Sequence, residues 1–561
     1  MKNMEKVTNI KNHNDNDSIN CVNYRLCVVG LVILMLSLHS REIGRPFYGL
    51  HSWAQASAAW GARVTANYGF KYTKFIATWA VGNPPKENPE HYYDHPQLGS
   101  ITTGLTAIIF GNEEYVLRAS NLVTNAIILL LFLRILKGLT DNLTALLAGV
   151  IYVIFPISNY FMMGWWPVVL GLAAVYFYFV LIGALKDAPQ PSLRHKIGLA
   201  LCLFFGLQYQ WTGFFYAFAI GLHYVCRCLK NKKTPDWSLI GIMIIAPFAS
   251  MALTFTIMAA GHGWDVQKII DLYVWRAGKG EYTEQMTTFD WSLWFGTLWK
   301  YSVTNYSLPV VLAVLVYFTI GQLFVFTGTK DTKTGRYARQ FPQFCLFFIV
   351  PVSQLFALRG CLWKHQTWLY PFDPLIAIAA ALSIMLLFDL LKKVSFRIAI
   401  GGAIFLLGIF TCFCFAGTNH YYAIRWQPEA KIKMFEMLNS RIPPDKYLLS
   451  FDQFIVDQHA SKGAFYRPEV AWYLDREIVQ AARLEEITEA AKTGKYPFYL
   501  MPLSVGDPQA DAYLSNLSKQ LSQLYKYEYV PGVSGEMDKK GRFLKAGMPS
   551  YLLFDLQNPL K

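Results

Sequence analysis

The chain is cut into about eleven apolar runs, most of them near the roughly 20 residues that a helix needs to cross a bilayer. They lie at residues 26–38, 116–133, 139–157, 166–185, 197–209, 211–229, 238–260, 308–328, 342–358, 371–391 and 398–416. Composition agrees with a membrane class: hydrophobic residues make up 54% of the chain and charged residues 16%, where a soluble domain carries about 25% charge. The formal net charge of +14 does not point to nucleic acid. The basic residues sit in short loops between apolar runs, where they set orientation in the membrane. The nine cysteines do not form a disulfide pattern. None follows Cys414, and the pairs Cys226/Cys228 and Cys412/Cys414 lack His or Cys partners at zinc spacing.

Residues 1–24 are polar and Asn/Asp-rich and read as a disordered cytoplasmic tail. The run Leu26–Leu38 lies between Arg25 and Arg41 and has no small-residue cleavage site after it, so it reads as an uncleaved anchor. The clusters Arg134/Lys137, Arg194/Lys196, Arg227/Lys230/Lys232/Lys233, Lys330/Lys333/Arg336/Arg339 and Lys392/Lys393/Arg397 fall in alternate loops. By the positive-inside rule these loops are cytoplasmic. The rule also divides residues 197–229 into two short spans, broken near Gln208-Tyr209-Gln210-Trp211. One long helix would put the clusters on its two flanks on opposite sides. An odd count then sends the C-terminus outside.

The expected architecture is therefore a polytopic α-helical membrane protein of about eleven spans, residues 25–417. External loops cover 40–115 and 261–307, and an extracytoplasmic α/β domain covers 418–561. In the first loop, Ser52–Asn67 and Leu98–Phe110 read as surface helices. In the last domain, helices are expected at Pro428–Asn439, Leu484–Thr493 and Gln509–Leu524. Strands are expected at Lys446–Phe451, Tyr496–Met501 and Tyr551–Phe554.

The stretch Tyr92-Tyr93-Asp94-His95-Pro96-Gln97-Leu98-Gly99 is the most informative for chemistry. An aspartate and a histidine beside a proline form a stiff polar hook before a surface helix. The plain reading is a helix entry, since Asp before Pro is common there. Together with Phe110-Gly111-Asn112-Glu113 and Arg118, however, the hook resembles the first-loop signature of GT-C glycosyltransferases. The similar branches are the protein O-mannosyltransferases and the lipid A aminoarabinose transferases. The resemblance extends to the large first loop and to the outer domain. It also takes in Lys364-His365-Gln366-Thr367-Trp368-Leu369-Tyr370-Pro371 and Tyr466-Arg467-Pro468. It implies transfer of a sugar from a polyprenyl-phosphate carrier to a glycan, lipid or protein acceptor on the outer face, with the bilayer as a partner. It implies no metal and no further cofactor. One departure stands out: where relatives carry an Asp or an Asp-Glu pair, this chain has His51-Ser52, in Gly49-Leu50-His51-Ser52-Trp53-Ala54-Gln55.

The chemistry sets its own requirements. An attacking hydroxyl must lose a proton, which calls for a carboxylate or a neutral imidazole. The candidates are Asp94, then His51, which titrates near neutrality, then Glu42 at the mouth of the first span. The leaving phosphate needs cations. His95, Arg359, Lys364 and His365 are the candidates, with Tyr93 and Gln55 as further substrate contacts. Snorkelling at the interface is the alternative for Arg359 and Lys364, although cations outside run against the charge rule. Asp373 reads as a helix cap, and Gln208 and Gln210 as caps of the two short helices, with contact to substrate as the alternative. Trp264, Trp275, Trp291, Trp294 and Trp299 read mainly as interfacial anchors.

The expectation is a membrane glycosyltransferase of the bacterial plasma membrane. A flippase for a lipid-linked glycan is the first alternative and would need polar groups midway through several spans. A GT-C-like scaffold that has lost its base is the second.

Overall fold

The computed structural model describes residues 21–93, 95–161, 166–277, 289–321, 341–451, 468–537 and 543–560. Asp94, the Lys330–Arg339 cluster and Tyr466-Arg467 lie outside them. The chain forms two compact units. One holds residues up to 41, residues 94–99 and residues 119–418; the other holds residues 42–93, 100–118 and 419–561.

The first unit is helical. Among the described residues, four helices are long and apolar enough to cross a membrane: Glu114–Leu139, Trp237–Gly261, Gln366–Lys392 and Phe396–Ala423. A fifth candidate is the pair Trp291–Tyr306 and Leu308–Ile320, bent by 109°. Shorter apolar helices such as Asn142–Ile154, Trp166–Leu181 and Pro342–Ala357 accompany them. Aspartates open several helices. Asp141 accepts from the Thr144 N–H, Asp236 from those of Ser238 and Leu239, and Asp290 from that of Leu293. Each carboxylate satisfies N–H groups that a first helical turn leaves unpaired.

Residues 193–231 form two helices, Leu193–Tyr209 and Thr212–Asn231, with the break at Gln210 and Trp211. The backbone N–H of Gln210 closes the first of them on Gly206. Gln208 is not the cap that its position suggests. Its amide reaches the neighbouring helix Trp237–Gly261 and donates to Ser250 O at 2.7 Å, Ser250 Oγ at 2.9 Å and Thr254 Oγ1 at 3.2 Å. Asp373 also differs from its expected role. It sits in the first turn of its helix, but its carboxylate accepts from Ser158 Oγ and from Tyr306 OH, both at 2.8 Å. A second buried polar chain runs from Tyr152 to Tyr370 OH (3.0 Å), from Tyr370 to Asn125 Oδ1 (3.1 Å), and from Asn125 to His39 Nδ1 (3.4 Å). In an apolar surrounding such bonds join helices that hydrophobicity alone cannot hold together.

The second unit is built on a mixed sheet. The strands are β1 Ala77–Trp79, β2 Glu90–Tyr92, β3 Leu448–Ser450, β4 Ile478–Gln480, β5 Phe498–Pro502, β6 Tyr525–Val530, β7 Glu536–Met537, β8 Phe543–Lys545 and β9 Tyr551–Pro559. The central sheet runs β4-β3-β5-β9-β6. β3 is parallel to β4 and β5, and β9 is antiparallel to β5 and β6. Side chains alternate between faces, as the period of two requires. Leu448, Leu500 and Leu553 enter one core, and Leu449, Tyr499 and Phe554 the other. The second core is closed by Leu514, Leu517 and Leu521 of the helix Pro508–Leu524. The first core is closed by the helix Glu429–Arg441 and also by first-loop residues, among them Phe47, Trp60, Val64 and Ala107. The first loop, assigned by hydropathy to the membrane part, thus shares a core with the C-terminal residues.

Two strands of the central sheet escape the sequence reading. β4 is three residues long, and β6 is a mostly exposed edge strand that alternates Tyr with Lys and Glu. The surface helix Leu98–Phe110 has the expected bounds. The helix begun at Ser52 continues to Thr73 and is broken at Gly69, whose φ of 76° is open to glycine without cost.

Glycines let the helices Leu193–Tyr209 and Thr212–Asn231 approach each other closely. A Cβ on Gly213 would run into the backbone of Gly206 and Leu207. Gly213→Ala should therefore lower stability by about 1–3 kcal/mol through overpacking. Gly221, where a Cβ meets nothing within 4 Å, is the control, and Gly221→Ala should leave the melting temperature in detergent unchanged or slightly raised.

Candidate functional site

The candidate residues fall into two groups, one in each unit. In the second unit the organising side chain is Arg118, which is 3% exposed. Its guanidinium donates to Ile43 O at 2.8 Å, to Arg45 O, and to Gln55 Oε1 at 3.3 and 3.4 Å. It also lies 4.9 Å from the centre of the Phe47 ring. Gln55, expected at substrate, is engaged with Arg118. Glu42 has a positive φ of 57° and forms an ion pair with Arg45 at 3.7 Å.

His51 precedes the helix Ser52–Thr73 in a left-handed conformation, φ 55° and ψ 25°. It is 6% exposed, with its ring 4.8 Å from that of Trp426. Ser52, its neighbour in the slot where relatives hold an acid, donates to Glu469 Oε1 at 2.8 Å. Glu469 is 4% exposed. A carboxylate from far along the chain therefore stands next to the position that lacks one. Sequence reading missed it because no local spacing links residue 52 to residue 469.

Other buried charges brace the same unit. Glu114 Oε1 accepts from Trp472 Nε1 at 3.1 Å and from Tyr473 OH at 3.0 Å. Burial, and then the charge of Glu114, push the Tyr473 hydroxyl well above its ordinary pKa. Arg63 donates to the carbonyls of Trp472 (2.6 Å) and Ala471 (2.8 Å), pairs with Asp475 at 3.4 Å and lies over the Trp472 ring. Tyr93 packs edge-on to His91 with centroids 5.8 Å apart. Burial, and then the positive charge of Lys74, lower the His91 pKa, and Thr78 Oγ1 lies 2.8 Å from its Nδ1.

In the first unit, His95 is half-buried and its carbonyl accepts from Gln97 Nε2 at 2.6 Å. Asp94 beside it is outside the described residues. Arg359 lies on the turn after the helix Phe341–Ala357, Lys364 ends the short helix Cys361–Lys364 that follows, and His365 caps it. The side chain of Lys364 is outside the described residues. The Arg359 guanidinium sits 4.6 Å from the Phe289 ring centre and 4.9 Å from that of Trp291. Trp294 Nε1 fixes the Arg359 carbonyl at 2.9 Å. Trp291 and Trp294 are thus more than interfacial anchors: Trp294 is fully buried, and both shape the seat of a cation. Trp264 and Trp299 are exposed, as anchors are. Among the described residues Arg359 is in no ion pair, and its Nε has no hydrogen-bond partner. Aromatic faces hold a guanidinium without neutralising it, so its charge stays available to an anion. Among the described residues no group of three or more His, Cys, Asp or Glu could hold a metal ion.

No family model matches the chain, and no curated protein matches it. Solved structures do. ArnT from Cupriavidus metallidurans bound to undecaprenyl phosphate is similar over 95% of this chain and 97% of its own, at 12% identity and a TM-score of 0.54. The apo oligosaccharyltransferase of Archaeoglobus fulgidus is similar over 94% of this chain and 74% of its own, at 10% identity and a TM-score of 0.53. The same archaeal protein tethered to an acceptor peptide gives a TM-score of 0.51 at 11% identity. At such identities the common property is the fold. This shared fold agrees with the architecture that the resemblance in the sequence implies.

Arg118 supplies the test of the second-unit network. Arg118→Ala leaves two carbonyls and the Gln55 amide without their buried donor and should cost about 3 kcal/mol. Arg118→Lys keeps the charge but not the fork of donors, so its loss should be intermediate. Melting temperatures of the purified variants read both effects, and an unchanged Arg118→Ala would show the network to be dispensable.

Proposed function

We propose that this protein is a membrane glycosyltransferase. It moves a monosaccharide from a polyprenyl-phosphate donor to a hydroxyl of a glycan, lipid or protein acceptor on the extracytoplasmic face. The observation that carries the reading is the un-neutralised Arg359, set against the rings of Phe289 and Trp291. Support comes from the shared fold with a structure bound to undecaprenyl phosphate. The setting is a bacterial plasma membrane with residues 418–561 outside.

In this reaction the acceptor oxygen forms a bond to the anomeric carbon as the bond from that carbon to the phosphate oxygen breaks. The hydroxyl proton goes to a base, and the leaving phosphate takes the electron pair. Arg359, with Lys364, His365 and His95, meets the charge that develops on the phosphate. Aromatic clamping places the guanidinium before the charge appears, so little reorganisation is needed during the step. Asp94 is the base. What favours it over His51 is the burial of that imidazole against Trp426. What favours it over Glu42 is the ion pair of Glu42 with Arg45. Tyr93 contributes a hydroxyl beside the hook. No metal and no further cofactor enter the step.

A flippase would need polar groups midway through several spans. The buried carboxylate of Asp373 has both oxygens occupied, by Ser158 and Tyr306, and so serves to join helices.

Arg359→Ala should lose about a hundredfold in turnover, the cost of one cation at a developing anion, and Lys364→Ala should lose a similar amount, with both proteins folded. Asp94→Asn should be nearly inactive and His51→Ala active, read with a radiolabelled polyprenyl-phosphate sugar. Normal turnover in Asp94→Asn alongside a dead His51→Ala would transfer the role to the imidazole. Orientation has its own test: a reporter that is active only in the cytoplasm, fused after Lys561, should stay silent.

A further inference from the structure

The helix Phe341–Ala357 packs against the helix Thr212–Asn231 and against the short 3-10 helix Gln366–Phe372. Its inward stripe runs Phe347, Val350, Gln354, then Leu358 just past its end, all buried. That is the spacing of one helical face. Gln354 therefore stands where an aliphatic side chain would be expected, and it is 1% exposed. Its Nε2 and its Oε1 are both buried without any hydrogen-bond partner. The pattern continues past the helix end: Arg359 Nε and Gln366 Nε2 are also buried and unpartnered. The Gln366 carbonyl accepts from Asn305 at 3.1 Å, and the Arg359 carbonyl from Trp294. Two backbone carbonyls of this stretch are thus held while the polar atoms of Gln354, Arg359 Nε and Gln366 Nε2 stay open.

Burying an amide with neither atom bonded is costly, and folded proteins keep very few such groups. In a membrane helix a polar group of this kind marks a ligand path more often than chance allows. The chemistry of the open atoms says what they fit. Gln354 Nε2, Arg359 Nε and Gln366 Nε2 are donors, which suits an anion. Gln354 Oε1 is an acceptor, and an ionised phosphate has nothing to give it. A sugar hydroxyl both donates and accepts, so it can pair with both ends of a carboxamide.

We propose that Gln354 is a specificity-determining residue that binds a hydroxyl of the donor's sugar, beside the phosphate held by Arg359. This rests on the reading of the protein as a polyprenyl-phosphate-sugar transferase and adds a sugar contact to it.

The test uses the full chain in detergent. Melting temperature and affinity are measured with undecaprenyl phosphate alone and with undecaprenyl phosphate carrying each of a set of hexoses and pentoses. Wild type should gain a larger shift from at least one sugar-bearing lipid than from the bare carrier. Gln354→Met, of similar length and with no unmet polar atom, should melt no lower than wild type without ligand. It should keep the bare-carrier shift, lose the extra shift, and bind the sugar-bearing lipid about tenfold more weakly, the worth of one good hydrogen-bonding group. Gln354→Leu is the second variant if methionine is not tolerated. An extra shift retained in both variants overturns the proposal and leaves Gln354 with a bound water only. Equal wild-type shifts with and without sugar also overturn it. Arg359→Ala separates the two ideas. If it keeps the bare-carrier shift, the phosphate reading fails, and the comparison at Gln354 still stands on its own.

Discussion

The cost of taking a polar group out of water orders both units of this chain. In the helical unit it forces the backbone to pair within helices, because lipid offers no substitute for water. It also forces the side chains that remain polar to find one another. Asp373 is met by Tyr306 and Ser158, Gln208 by Ser250 and Thr254, and Tyr370 by Asn125. The same rule operates in the second unit, where Arg118 is surrounded by carbonyls and an amide, and Glu469 is bonded by Ser52. Against this background, the buried polar atoms that go unmet are informative. Those on Gln354, Arg359 and Gln366 lie within one short stretch.

That stretch shows how a structural constraint becomes a chemical one. A bare arginine would pair with a carboxylate if one were near, and the pair would no longer attract a phosphate. Phe289 and Trp291 avoid this by offering rings instead of charge. They hold the cation in place and leave its field intact. Trp294, buried beneath them, pins the backbone on which Arg359 rides.

The first loop illustrates a different dependence. Its residues Phe47, Trp60 and Val64 fill the core against the sheet face that carries Leu448, Leu500 and Leu553. Arg63 and Glu114 then tie it to the helix Pro468–Leu474 through the carbonyls of Ala471 and Trp472 and the side chains of Trp472 and Tyr473. Apolar burial and buried polar pairing thus hold the part of the loop that carries His51, Ser52 and Gln55.

The sequence alone determined whatever depends on local pattern. Apolar runs named the helices, because length and hydropathy are properties of consecutive residues. Charge alternation broke residues 197–229 into two helices, and Leu98–Phe110 could be bounded by its own composition. The hook at Tyr93–Gly99 carried the resemblance to a GT-C fold. Tertiary structure decided whatever depends on residues far apart in the chain. It brought Glu469 to Ser52 and occupied Gln55 with Arg118. It withdrew Gln208 and Asp373 from their capping roles and turned Trp291 and Trp294 from anchors into the seat of Arg359. No window of sequence encodes such pairings, because a buried polar side chain takes its partner from whichever element packs against it. Gln354 is the clearest case. In the sequence it is one glutamine in an apolar run, and only the packing of its neighbours leaves both ends of its amide open.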